Sequence, residues 1–185
     1  VNLITDSFPA LALGADPGDK EVMKEKPRNS SDSLFAHGTG VALILNGILI
    51  GFLTLCAFVV GVKVYTGSTT LFPLMPGKLS KDALTHAQTM AFVVLSVSQL
   101  FHALNMRHPE KSIFQLGLFS NKYLIAAILF GIFLQDAIIT VPALNSIFEV
   151  WNLSMRDWVF VGILSVMPLV INEIVKIFIR AGKKH

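Results

Sequence analysis

Three oxygen-bearing side chains stand close together in an apolar segment at the start of the chain: Asn2, Thr5 and Asp6. On a helix, positions i, i+3 and i+4 share one face, so the amide oxygen, the hydroxyl and the carboxylate lie together. These are the hard oxygen ligands that alkali and alkaline-earth cations take. A carboxylate inside hydrocarbon normally marks an ion or proton path. Pro9 follows. Because proline lacks an N–H, it is expected to disturb the helical turn before it and to free backbone carbonyls that face the ion.

The composition places these residues in a membrane protein. Hydrophobic residues make up 53% of the chain and charged residues only 15%, against about 25% charged in an ordinary soluble domain. Two windows, 38–62 and 87–106, contain no charged residue, and each is long enough to cross about 30 Å of hydrocarbon as a helix. Two further windows, 122–141 and 158–179, are also predicted to span the membrane, although they contain charged residues. The sequence predicts an all-α membrane protein, a bundle of four transmembrane helices preceded by part of a fifth, residues 1–14, with the lipid bilayer as a partner.

The chain opens with Val1, inside an apolar segment, with no initiator Met and no charged region of the kind a signal peptide has. We therefore expect it to be part of a longer protein, either a C-terminal domain produced by itself or a proteolytic product.

Basic residues predict the orientation of the bundle. If the loop over residues 15–37 is cytoplasmic, eleven Lys and Arg residues fall on the cytoplasmic side and four on the other, as the positive-inside rule requires. The C-terminus is then cytoplasmic. The eleven are Lys20, Lys24, Lys26, Arg28, Arg107, Lys111, Lys122, Lys176, Arg180, Lys183 and Lys184, and the four are Lys63, Lys78, Lys81 and Arg156. This distribution accounts for the formal charge of +3, so no nucleic-acid partner is expected.

A few polar residues inside the spans need their own interpretation. Gln99 and His102 stand at i, i+3, which is a possible metal pair. Gln is a poor ligand for transition metals, however, so an interhelical hydrogen bond is the favoured role of His102. Glu173 and Lys176, also at i, i+3, predict an interfacial ion pair. The single cysteine, Cys56, lies within a span and has no partner for an intramolecular disulfide.

The first 29 residues carry a resemblance to a known family. The run VNLITDSFPALALGADPGDKEVMKEKPRN resembles the sixth transmembrane helix and following cytoplasmic loop of the type II P-type cation ATPases, and it is most similar to the calcium pumps. The resemblance continues through TMAFVVLSVSQLFHALN to NEIVKIFIRAGKK and covers essentially the whole chain. It implies that the chain runs from the second half of the sixth helix through the tenth, and that Asn2, Thr5 and Asp6 are ligands of the transported Ca²⁺.

The resemblance also gives a role to the loop over residues 15–37. By itself this polar segment of mixed charge is typical of a solvated connector. In the calcium pumps the matching loop touches the phosphorylation domain, and its acidic residues couple ATP use to ion binding. Asp19 and Glu21 match that pattern and are the expected coupling residues.

Gln99 departs from the pattern of the two-ion calcium pumps. These have a ligating Glu at the corresponding position of the eighth helix, whereas Gln99 keeps the oxygen and loses the charge. The resemblance therefore implies a weakened or lost second metal site and a pump that carries a single ion. Ser7, where many pumps have Gly, is a smaller departure that still permits local unwinding.

The functional expectation concerns a parent protein. The chain has no Asp-Lys-Thr-Gly phosphorylation motif and no nucleotide-binding domain, so it is expected to be inactive alone, while a parent pump would use ATP and Mg²⁺ and form a phosphoaspartate. Its partners would be the remaining helices and the cytoplasmic domains of that pump. Three alternatives stay open: a monovalent-cation pump, a fragment of a secondary transporter or channel, and a purely structural bundle. The amide of Asn2 favours the calcium branch, with sodium-exporting and manganese-carrying relatives still possible.

Overall fold

Seven helices make up the described part of the chain. The computed structural model describes residues 2–17, 33, 35, 38–67 and 79–182. The helices are α1 Asn2–Gly14, α2 Thr39–Thr66, α3 Lys81–Asn105, α4 Ile113–Leu116, α5 Lys122–Thr140, α6 Pro142–Phe148 and α7 Met155–Gly182. Within these residues there is no strand, and α2, α3, α5 and α7 are long and apolar enough to cross a membrane. The predicted all-α bundle of four spans, preceded by part of another helix, is confirmed.

The helices extend at several ends beyond the windows that the sequence predicts. α3 begins at Lys81 where the window begins at 87, and α7 runs over 155–182 where the window covers 158–179. Ser80 explains the early start of α3, because its hydroxyl accepts a hydrogen bond from the Ala83 N–H at 3.2 Å and caps the helix. Charge-free windows mark the part of a helix that lies in hydrocarbon, whereas a helix continues as far as its hydrogen bonds and caps allow.

α3 is the central helix of the bundle and packs against α1, α2, α5 and α7. One side of it joins α2 and α7 in a core cluster, and the other side joins α1 and α5 in a second cluster. The outward faces of α2 and α7 remain apolar and exposed, as expected of helices that meet lipid. α3, which carries Gln99, therefore contributes residues to both core clusters.

α2 and α3 approach most closely at Gly61. A Cβ atom placed on Gly61 would lie 2.7 Å from the Cα atom of Ala87, nearer than two carbon atoms can approach without a shift. Small residues allow such close backbone contact between membrane helices, where packing replaces the hydrophobic effect as the driving force. The contact also exposes the Gly61 carbonyl to a side chain of α3.

That side chain is His86, which links three helices at the end of the bundle where α2 ends. Its Nδ1 lies 3.1 Å from the Gly61 carbonyl oxygen, and its Nε2 lies 3.2 Å from Oδ2 of Asp157 on α7. Because a carbonyl only accepts, Nδ1 carries a hydrogen. The Ser154 N–H and hydroxyl donate to the same Asp157 oxygen at 2.9 and 2.7 Å. Both ring nitrogens and the carboxylate are therefore used to join α2, α3 and α7.

Gly61→Ala is expected to destabilise the domain by about 1–3 kcal/mol, because the new methyl must push α2 away from the α3 backbone. The measurement is the thermal midpoint of the purified protein in detergent at a fixed heating rate. Gly51→Ala is the matched control, since Gly51 lies in the same helix with nothing within 4 Å of its added Cβ. Equal midpoints for the two variants would contradict the close approach.

Candidate cation site

α1 is one continuous helix from Asn2 to Gly14 with Pro9 inside it. The turn that precedes Pro9 is helical, so the proline does not end α1. Pro9 cannot donate the helical hydrogen bond to the Thr5 carbonyl, four residues earlier, but this is a single bond. α1 packs along α3 and α5.

The structure brings Thr5, Asp6 and Gln99 together. Thr5 is buried and Asp6 is exposed, and both line a groove of about 200 Å³ between α1 and α3. Gln99 and His102 line the same groove from α3. Asn2 lies one turn earlier on α1, but its side chain is outside the described part of the structure, as are the coupling-loop residues Asp19 and Glu21. Residues that carry a carboxylate, a hydroxyl and an amide therefore line one otherwise mainly apolar groove, and these groups are oxygen donors suited to a hard cation.

Among the residues that the structure describes, His102 has no interhelical hydrogen bond of the kind that its sequence context predicts. The bond that the structure shows joins it to the amide nitrogen of Asn105, which lies in the same helix at 3.5 Å from Nδ1. The groove explains this, since it separates the imidazole from α1. The interhelical bond from this part of α3 comes instead from Asn105, whose amide donates to the Pro168 carbonyl of α7 at 3.3 Å.

Polar contacts that sequence reasoning missed tie the C-terminal end of α1 to the rest of the bundle. Arg107 donates to both carboxylate oxygens of Asp16, from Nε at 2.9 Å and from Nη2 at 3.0 Å. Asn121 donates to the Ala12 carbonyl at 2.8 Å and to Asp16 Oδ1 at 3.0 Å. We call Asp16, Arg107 and Asn121 the α1 anchor. Asp16 and Arg107 are charged, and each lies just beyond a predicted span. Their positions in the sequence indicate that both lie at the membrane interface, but they do not indicate that the two residues pair across 91 positions.

A second set of contacts lies where α3 ends and α7 nears its end. Glu173 and Lys176 form the predicted ion pair, with Nζ 3.4 Å from Oε1. Glu173 also accepts from the Ser112 hydroxyl and from the Ile113 N–H. Lys176 donates to the Asn105 carbonyl at 3.3 Å. These contacts hold α4 and the end of α3 against α7, and they do not involve α1.

Comparison with known proteins identifies the family. A family model described as "Cation transporting ATPase, C-terminus" matches residues 1–178. The chain belongs to this family. The family predicted from the resemblance of residues 1–29 is confirmed. The chain is a C-terminal transmembrane domain of the cation-transporting ATPases. With four apolar membrane-length helices in its described part, it is an integral, multi-pass membrane domain.

Individual members of the family match over nearly the whole chain. "Calcium-transporting ATPase 1" of Bacillus cereus is 58% identical over 177 residues, which are 96% of this chain and 20% of that protein. "Calcium-transporting ATPase" of Bacillus subtilis is 37% identical over 91% of this chain and 17% of that protein. "Calcium-transporting ATPase type 2C member 1" of Homo sapiens is 30% identical over 100% of this chain and 18% of that protein. The chain thus spans about a fifth of the length of these curated relatives.

Proposed function

We propose that this chain is the C-terminal transmembrane part of an ATP-driven calcium pump, in which Asn2, Thr5 and Asp6 supply cation ligands and α2 to α7 form the supporting bundle. The observation that carries the proposal is the groove between α1 and α3, where Thr5, Asp6 and Gln99 meet. A carboxylate on an apolar helix at membrane depth is costly unless it binds a cation or pairs with another group. The names of the bacterial and human relatives favour calcium over a monovalent cation.

The donors of α1 form part of a calcium site. Ca²⁺ takes six to eight oxygens at about 2.3–2.6 Å, more than three side chains of one helix supply. Asp6 lines the groove yet is exposed, so the side of α1 that carries it is only partly covered by the described residues. In a membrane this side requires other helices, and we assign the remaining ligands to helices of the same pump that precede this chain.

The parent protein would couple this site to ATP. By family analogy it uses ATP and Mg²⁺ and forms a phosphoaspartate on a cytoplasmic domain. By the same analogy, Asp19 and Glu21 of the loop that follows α1 would contact that domain. We assign the C-terminus to the cytoplasm. The support is that Arg107 and Arg180 lie at one end of the bundle, where α1, α3 and α7 all end.

Gln99 supports a pump that carries one calcium ion per cycle. It faces the groove without a charge, where the two-ion pumps resembled by this sequence have a carboxylate. Removing one negative charge from a site of low dielectric weakens binding of a divalent cation strongly unless another anion compensates. The ion held by Asn2 and Asp6 would remain.

In the full-length protein, Asp6→Asn is expected to abolish calcium-dependent phosphoenzyme formation, because the substitution removes the only anionic oxygen of α1 beside the groove. Phosphoenzyme is measured with labelled ATP across a calcium titration. Asp136→Asn is the control, since Asp136 is exposed on α5 and its described hydrogen bond is to Thr140 of its own helix. Unchanged calcium dependence in Asp6→Asn would show that Asp6 is not a ligand.

The chain by itself is expected to bind cations weakly and without selectivity, because its three donor side chains cannot complete a shell of six to eight oxygens. Isothermal titration of the detergent-solubilised chain with Ca²⁺ and Mg²⁺ measures this, with the Asp6→Asn chain as the blank. Submicromolar affinity for Ca²⁺ would contradict the assignment of essential ligands to other helices.

The parent pump is expected to transport one Ca²⁺ per ATP hydrolysed, with a Hill coefficient near one for activation by calcium, because Gln99 replaces a charged ligand. Transport and hydrolysis are measured together in sealed vesicles. A ratio near two with cooperative activation would defeat the single-ion proposal, and would place the compensating negative charge on a helix that precedes this chain.

A further inference from the structure

The α1 anchor is a dense set of polar contacts at the end of the helix that carries the proposed ligands. The Arg107 side chain is only 4% exposed and the Asp16 side chain 17%. Arg107 also donates from Nη1 to the Gly117 carbonyl at 3.0 Å and from Nη2 to the Ser120 hydroxyl at 2.7 Å. The guanidinium therefore joins the residue two positions beyond α1 to the segment between α3 and α5. Two parallel N–H bonds to one carboxylate fix orientation as well as distance.

Asn121 extends the anchor to α5. Ala12 lies in the last turn of α1, where carbonyls have no helical donor, and the Asn121 amide supplies that donor. The side-chain oxygen Oδ1 of Asn121 accepts from the Leu124 N–H at 2.9 Å and caps the start of α5. One buried side chain thus joins the last turn of α1 to the first turn of α5.

The anchor and the groove are joined by two continuous helices. Asp6 lies eight residues before the end of α1, a distance of about 12 Å along the axis. Gln99 precedes Arg107 by the same number of residues, and α3 is helical to Asn105. A helix transmits an axial shift along its length, so the position of Asp16 relative to Arg107 determines how α1 lies against α3 at the groove.

We propose that Asp16 and Arg107 are a positioning pair that sets the place of Thr5 and Asp6 relative to Gln99 and thereby the affinity of the cation site. This inference rests on the proposed function of that site. Neither residue reaches the groove, so their effect on the ion passes through the placement of α1. A loss of the pair lets the last turn of α1 shift, and the groove then loses its geometry.

The variants Arg107→Lys and Asp16→Asn test the pair in the full-length protein. Lys keeps the charge but cannot form the bidentate fork, and Asn keeps the shape of Asp16 without its charge. Each is expected to raise the calcium concentration for half-maximal phosphoenzyme formation about tenfold, the change expected when a charge-assisted hydrogen bond is lost. The maximal phosphoenzyme level at saturating calcium is expected to stay near that of the wild type.

The double variant separates positioning from a general loss of stability. If the two residues act through their mutual contact, Asp16→Asn with Arg107→Lys shifts half-saturation no more than either single change. Arg180→Gln is the matched control, because it breaks a contact with Gln115 between α7 and α4 without touching α1. It is expected to leave the half-saturating calcium concentration unchanged.

Several outcomes would overturn the inference. One is that Arg107→Lys and Asp16→Asn fold and keep the calcium dependence of the wild type. Another is that Arg180→Gln raises the half-saturating calcium concentration as much as they do. If the charged-residue variants fail to accumulate, Ser120→Ala removes one exposed contact of Arg107; a smaller shift in the same direction supports the pair and no shift overturns it. A wild-type protein without calcium-dependent phosphoenzyme would instead defeat the proposed function, which keeps the two failures distinct.

Discussion

Hydrocarbon offers no hydrogen-bond partners, and this constraint shapes both the backbone and the polar side chains of the domain. The backbone satisfies it with helices. Side chains satisfy it by pairing across helices, as His86 does with Asp157 and Lys176 with the carbonyl of Asn105. Gln135 and Ser165 have no described partner although both are buried, and they line a cavity of about 200 Å³ between α3, α5 and α7. Apart from these two residues, the cavity is lined by Gly162 and by apolar and aromatic side chains.

The polar links described above lie towards the two ends of the bundle, while Val93, Val94 and Val97 pack in the core near the middle of α3, beside the buried Ser96 and Ser98. At one end, His86 joins α2, α3 and α7 beside the close contact at Gly61. At the other end, the α1 anchor and the Glu173–Lys176 pair hold α1 and α7 separately. A bundle fastened at both ends is a stiff support for one exposed carboxylate. This stiffness is the property that a cation site needs, since ligand distances must be held closely while the ion enters and leaves.

α1 differs from the other helices in how it is held. Its N-terminal part contributes Thr5 and Asp6 to a groove, while its C-terminal end is fixed by Arg107 and Asn121. In the proposed pump, the loop with Asp19 and Glu21 begins directly beyond this fixed point. In that proposal, a movement of the coupling loop would reach the proposed ligands Thr5 and Asp6 through α1 and the α1 anchor.

Single residues and short spacings were enough to predict the helices and the candidate ligands. Apolar length determines whether a helix can span hydrocarbon, so the four spans followed from two charge-free windows and two less uniform ones, and the i, i+3, i+4 spacing by itself placed Asn2, Thr5 and Asp6 on one helical face. The helix ends were less accurate, because caps such as Ser80 extend a helix beyond its apolar part. Tertiary structure showed that Gln99 lines the same groove as Asp6, as the resemblance implied, and it alone decided that Arg107 meets Asp16, 91 residues earlier in the chain. Such contacts depend on how helices pack and rotate against each other, and one sequence carries no periodic signal for that arrangement.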